Sequence, residues 1–178
     1  MGIRRVVTGH NEEGISVFVR DEVVEGDRFD YLAGWKFYDI WGGDTRPTFP
    51  DAGDKPSTET YFPKADGFRF TFSHIPPEDT PPIEGIDLEK ALVELNAGLP
   101  GMMSYLEPDF MHTTDTIDFE IIISGQVYLK LSDGTEKLLK PGDTVVQNGT
   151  RHLWRNPGPE PCLYAVFMVG ANRLPAKD

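Results

Sequence analysis

Apolar and polar residues alternate in short runs along most of the chain, and turn-forming residues separate the runs. Residues 3–8 (IRRVVT) and 15–20 (ISVFVR) read as strands joined by a hairpin connection in which Asn and Gly tolerate turn geometry. Residues 35–41 (WKFYDIW) alternate in part and predict a third strand. Residues 68–75 (FRFTFSHI) alternate strictly, with Phe68, Phe70, Phe72 and His74 on one face and Arg69, Thr71 and Ser73 on the other. A PPEDTPP stretch then ends the ladder, because proline has no amide donor. Residues 86–97 place Leu88, Ala91, Leu92 and Leu95 at helical spacing, with Asp87 as N-cap and Gly98 as the stop. From Pro108 onward the rhythm is β: 117–123, 126–132, 136–139, 144–147, 151–155 and 162–169, with Gly-rich breaks between them.

Short, evenly spaced strands predict an all-β jelly roll or barrel with an N-terminal β arm and one short helix. Composition agrees: 18 Gly, 15 Pro and 11% aromatic residues in 178 suit many turns and short strands. The expected division is a single domain over 1–178, with strands and arm in 1–41, a long loop in 42–66 and the barrel in 68–170. The loop holds four prolines and almost no aliphatic residue, the character of a lid or an interface arm. The ANRLPAKD tail is expected to be solvent-exposed.

Charge narrows the partners. Lys and Arg total 17 against 29 Asp and Glu, a formal charge of -12, which disfavours nucleic acid and anionic membranes. No apolar run approaches the roughly 20 residues of a membrane helix. The lone Cys162 allows no intrachain disulfide and is expected to be buried and inert. These features predict a soluble, cytoplasmic protein.

The chemistry concentrates in two segments, HTTDTIDFEIIISG (112–125) and GDTVVQNGTRHLWRN (142–156). In this region, roughly residues 100–170, the chain resembles the cupin superfamily, whose pattern is His-x-His, then an acid and a glycine, and later a Gly-Asp step, a glycine and a further histidine. His112, Asp118 and His152 match three of the positions, and Thr114 stands where the second histidine would be. The runs RRVVTGH, MHTTDTID and VVQNGTRHLWRN are similar to a group of single-domain cupins, some encoded in biosynthetic clusters of bacteria and fungi. The resemblance implies a double-stranded β-helix and a divalent metal held by His112, Asp118 and His152. Two imidazoles and one carboxylate suit iron, zinc or manganese. No organic cofactor is implied.

Along an extended strand Asp118, Glu120 and Ile122 share a face, so Glu120 is a further acid on the expected inward side. Glu120, Asp118 and His74 are the candidate proton-moving groups, with the alternative that His74 ends its strand and caps a loop. Thr114, Gln147 and Trp154 are the candidate substrate contacts. The implied activity is a metal-dependent enzyme acting on an aromatic or polyketide-derived acid or ketone, by decarboxylation, dehydration, isomerisation or oxygenation. The alternative is a metal-free barrel in which the same His, Asp and Glu groups do acid–base work or only bind a ligand. A homodimer is expected, with the 3–20 hairpin adding to the partner's sheet or to its own barrel's edge.

Overall fold

The computed structural model describes residues 2–175. Ten strands form, at β1 Ile3–His10, β2 Ser16–Val24, β3 Lys36–Gly43, β4 Phe68–Ile75, β5 Thr116–Ser124, β6 Val127–Leu131, β7 Glu136–Leu139, β8 Thr144–Asn148, β9 His152–Arg155 and β10 Cys162–Gly170. One helix, α1 Leu88–Gly98, and a 3-10 turn at Met102–Tyr105 complete the order. Of the predicted exposed tail, residues 171–175 are exposed and the remainder lies outside the described residues.

The strands assemble into a five-stranded sheet of order β3-β4-β10-β5-β8, a three-stranded sheet β7-β6-β9 and a separate ribbon β1-β2. Every strand pairing is antiparallel. The two larger sheets face one another as a cupin-type jelly roll. Its core is Ile75, Ile122, Val127, Cys162, Tyr164, Val166 and Met168. The predicted addition of the hairpin to its own barrel's edge does not occur: β1-β2 pairs only with itself, and Arg5 Nη1 ties it to the Ile40 carbonyl at 2.6 Å.

Helix α1 starts as predicted, the Asp87 carboxylate accepting from the Lys90 amide at 3.1 Å. Its apolar stripe is narrower than the spacing suggests. Ala91 and Leu95 are buried, Leu95 against Phe37, Leu99 and Met102, whereas Leu88 and Leu92 are exposed. Gly98 is fixed by space rather than by a turn conformation, since a Cβ there would meet the Phe29 ring. This second cluster, with Trp35 and Phe62 shared with the first, closes one end of the barrel.

One buried residue ties the two ends of the 42–66 loop together, while contacts to His10, Arg20 and Asp39 hold its middle. Arg69, 3% exposed on β4, donates to the carbonyls of Gly43 (2.9 Å), Phe68 (2.9 Å) and Thr60 (2.7 and 3.1 Å) and to Asp44 Oδ1 at 2.5 Å. That clamp delivers Tyr61 and Phe62 into the barrel, where the Tyr61 amide bonds the Pro100 carbonyl at 2.9 Å.

Candidate functional site

A cavity of about 170 Å³ opens between the two larger sheets. Its walls are largely aromatic, from Trp35 and Phe37 at β3, Tyr61 and Phe62 of the long loop, Tyr105, Phe110, Trp154 on β9 and Tyr164 on β10. Its polar lining consists of His112, Thr114, Asp118, Glu120 and His152. Five residues picked from the sequence therefore reach one cavity, together with Trp154.

Each is placed by strand phase. Asp118 pairs with Met168 and Gln147 across the sheet, and Glu120 with Val166 and Val145, so both acids project inward. His152 opens β9, and His112 bonds it backbone to backbone in both directions, at 2.9 and 3.0 Å. The two imidazoles consequently meet, with ring centroids 4.1 Å apart. Arg173 holds the two motif segments in register from outside. It donates to the carbonyls of Thr114 (2.8 Å) and Gly149 (3.0 Å) and pairs with Asp115.

Protonation follows from burial. His152 Nδ1 lies 2.9 Å from the Thr150 carbonyl, which can only accept, so Nδ1 carries the hydrogen and Nε2 presents a lone pair. Burial, reinforced by His112, holds the His152 pKa down to about 4, and burial lowers His112 as well. The carboxyls move the other way. Burial pushes Asp118 up to about 6, against the Thr116 hydroxyl, and raises Glu120 well above its usual range, Asp118 adding to the effect. Asp118 Oδ1 and Glu120 Oε2 are buried with no hydrogen-bond partner among the described residues. An orphaned oxygen is far less costly on a neutral carboxyl than on a carboxylate. The Tyr61 phenol, raised by burial to about 12, and Tyr164, raised further by burial, stay neutral donors beside them.

Two predicted site residues lie elsewhere. His74 is outside the cavity: Thr71 and Ser73 take the inward phase of β4, and His74 packs on Tyr38 at 5.8 Å. Gln147 is buried on the phase of Asp118, but its amide donates to the Thr150 carbonyl at 3.0 Å and to the Thr150 hydroxyl, so it braces the turn before His152. Cys162 is buried, its thiol raised to about 11.

The three-ligand metal set is not gathered. Among the described residues no three His, Cys, Asp or Glu side chains form a group that could hold a metal ion. Thr114, at the second histidine's place, spends its hydroxyl on Thr116 Oγ1 at 2.8 Å.

The sequence reading missed Tyr61, Phe62 and Tyr164. The aromatic pair Tyr61-Phe62, alone at the end of an otherwise polar loop, was the available signal.

No protein-family model matches the chain. It is similar to Oryzines biosynthesis cluster protein J of Aspergillus oryzae, 40% identical over 58 residues. That stretch covers 33% of this chain and only about a third (32%) of the relative's length. It is also 25% identical over 163 residues to the cupin-domain-containing oxidoreductase srdB of Neurospora crassa, covering 88% of this chain and 67% of that protein. The relatives of which most is covered are thus cupin-domain proteins, and this chain is similar to them. Among solved structures, the chain aligns with the polyketide cyclase RemF from Streptomyces resistomycificus at 15% identity, covering 85% of this chain and 77% of that one, with a TM-score of 0.45. No helix among its described residues is long and apolar enough to cross a membrane.

Proposed function

We propose that this cupin is a proton-transfer enzyme acting on a small, largely apolar ketone or acid, aromatic or polyketide-derived, that carries a hydroxyl group. The observation that carries the reading is the meeting of two neutral imidazoles and two carboxyls of raised pKa in one aromatic-walled cavity. The raised pair divides the labour. Asp118, near 6, is largely ionised at neutral pH and serves as base, while Glu120 keeps its proton and serves as acid. Asp118 removes a proton from the carbon beside the carbonyl, the C–H electron pair moves into the carbonyl, and Glu120 protonates the resulting oxygen. His152 Nε2 accepts the substrate hydroxyl and orients it. The same enolisation begins an isomerisation or a dehydration.

The biosynthesis-cluster relative supports a small-molecule substrate. The relative named an oxidoreductase supports a second reading, oxygenation with dioxygen as the oxidant at an iron or manganese ion, for which the open His152 Nε2 and the orphaned Asp118 Oδ1 would be donors. The experiment is deuterium incorporation from D2O into a panel of aromatic hydroxyketones, with elemental analysis of the same protein. Exchange by metal-stripped protein, lost at least ~100-fold in Asp118→Asn, is the expected result. One equivalent of metal that disappears in His152→Ala, with exchange absent after stripping, would replace this reading by the second.

A further inference from the structure

Nothing in the cavity wall answers a negative charge. Among the described residues no Lys or Arg lines it, and besides phenols its polar groups are two imidazoles, one hydroxyl and two carboxyls. The Thr114 hydroxyl is already engaged with Thr116. His152 Nδ1 gives its hydrogen to the Thr150 carbonyl, so Nε2 carries a lone pair and no hydrogen. Asp118 and Glu120 are each 5% exposed, and each leaves one oxygen without a partner among the described residues. Ionised, such a carboxyl repels an anion. Protonated, it gives one hydrogen bond and no countercharge.

The cations around the site are engaged elsewhere. Arg151, Arg155 and Arg173 flank the two motif segments, and each pairs with acids outside the cavity. Arg151 meets Glu107 and Asp109 at 2.8 Å, Arg155 meets Glu136 at 2.8 Å, and Arg173 meets Asp115. Arg69 is taken up by Asp44 and by main-chain carbonyls. The rim brings further acid. Phe110 is exposed and lines the cavity, and its amide closes a turn onto the Glu107 carbonyl at 2.9 Å, with Asp109 in the same turn. The whole chain carries -12, which lowers the concentration of anions near any of its surfaces.

We propose that the substrate enters this cavity uncharged at its reacting end, as a ketone and not as a carboxylate, phosphate or sulfate. The inference rests on the proton-transfer reading above and narrows its substrate class. Desolvation sets the direction. An anion stripped of water between Trp35, Phe37, Tyr61 and Trp154 finds no countercharge. A neutral carbonyl loses far less, and it accepts the hydrogen that Glu120 donates in that reading. The same lining would hold an ammonium group through the rings and the carboxyls, but against the very oxygens that move the proton. A cation is therefore an inhibitor and not a substrate. Size selects the probes, since a cavity of about 170 Å³ is of the order that encloses one benzene ring.

The test is titration calorimetry of the metal-stripped full chain at about pH 8 with para-hydroxyphenylacetone and para-hydroxyphenylacetate. The two share ring and hydroxyl and are close in shape, and deuterium exchange into the ketone is followed in the same samples. The ketone is expected to bind at least ~100-fold more tightly than the carboxylate, and tyramine is expected to displace it. Leu106→Lys, which puts a cation on a half-buried wall position, is expected to narrow the ratio at least ~10-fold. A smaller wild-type ratio would overturn the inference whether or not the ketone exchanges, as would no binding of either probe, tyramine that does not compete, or a folded Leu106→Lys with an unchanged ratio. Selectivity for the ketone without any exchange would instead remove the proton-transfer reading and leave the charge selection standing. If Leu106→Lys fails to fold, the wild-type ratio and the tyramine competition decide alone.

Discussion

At the scale of single residues, the site is held in a state that costs stability. The Asp118 carboxyl ordinarily titrates near 3.8 and is pushed to about 6 in the fold. Between those values the folded chain keeps a proton that the unfolded chain has released, so stability falls as pH rises, and above about 6 the penalty is complete. Asp118→Asn is therefore expected to stabilise the protein by about 2–3 kcal/mol near pH 8 and to abolish activity. Denaturant titration at several pH values checks the first part. His152 has the opposite sign. Held down to about 4 from 6.5, it contributes stability that is present above 6.5 and lost as pH falls through about 4. In Asp118→Asn that acid-side loss should stand out with less opposition. Phe110 stores strain of another kind. It is 65% exposed with φ at 63°, in the left-handed region that costs a bulky residue about 1–2 kcal/mol. Phe110→Asn is expected to raise stability by about 1 kcal/mol while weakening ligand binding, because the ring lines the cavity. Calorimetry on the free and ligand-bound protein reads both effects.

At the scale of elements, Arg69 decides where the long loop goes. Its bonds all end on residues 43–44, 60 and 68, and the loop's Tyr61 and Phe62 become cavity wall. Arg69→Met is expected to cost about 3 kcal/mol, since it strands buried carbonyls and the Asp44 carboxylate together. It should also open residues 44–60 to limited proteolysis, whereas cleavage no faster than in wild type would show that the loop is held by other contacts. This role was not legible in the sequence, for a definite reason. Alternation in FRFTFSHI gives the period of β4 but not its sign. The Phe face looks like core, yet Arg69, Thr71 and Ser73 point inward and the phenylalanines outward, taking His74 with them. On β5 the same logic succeeds, because the acids Asp118 and Glu120 belong to a motif whose spacing to His112 and His152 fixes the inward face. Strand positions were legible throughout, since turn residues and alternation are local. The aromatic wall was not, since Trp35, Tyr61, Phe110 and Tyr164 come from four distant segments with no shared pattern.

At the scale of the whole molecule, the two faces of the five-stranded sheet differ in character. The inner face carries acids and aromatic residues towards the cavity, and the outer face carries exposed apolar residues such as Phe119, Phe167 and Val146. The proton-holding pair remains the feature on which the functional reading turns, and it is observable without a substrate. Carbon-13 NMR of side-chain carboxyls, assigned with Asp118→Asn and Glu120→Gln and followed from acid to alkaline pH, measures it directly. Asp118 is expected to titrate near 6, with Glu120 still protonated well above the ordinary glutamate range. Both carboxyls ionising together at ordinary values, near 3.8 and 4.5, would contradict a buried acid–base pair and remove the basis for proton-transfer chemistry in this barrel.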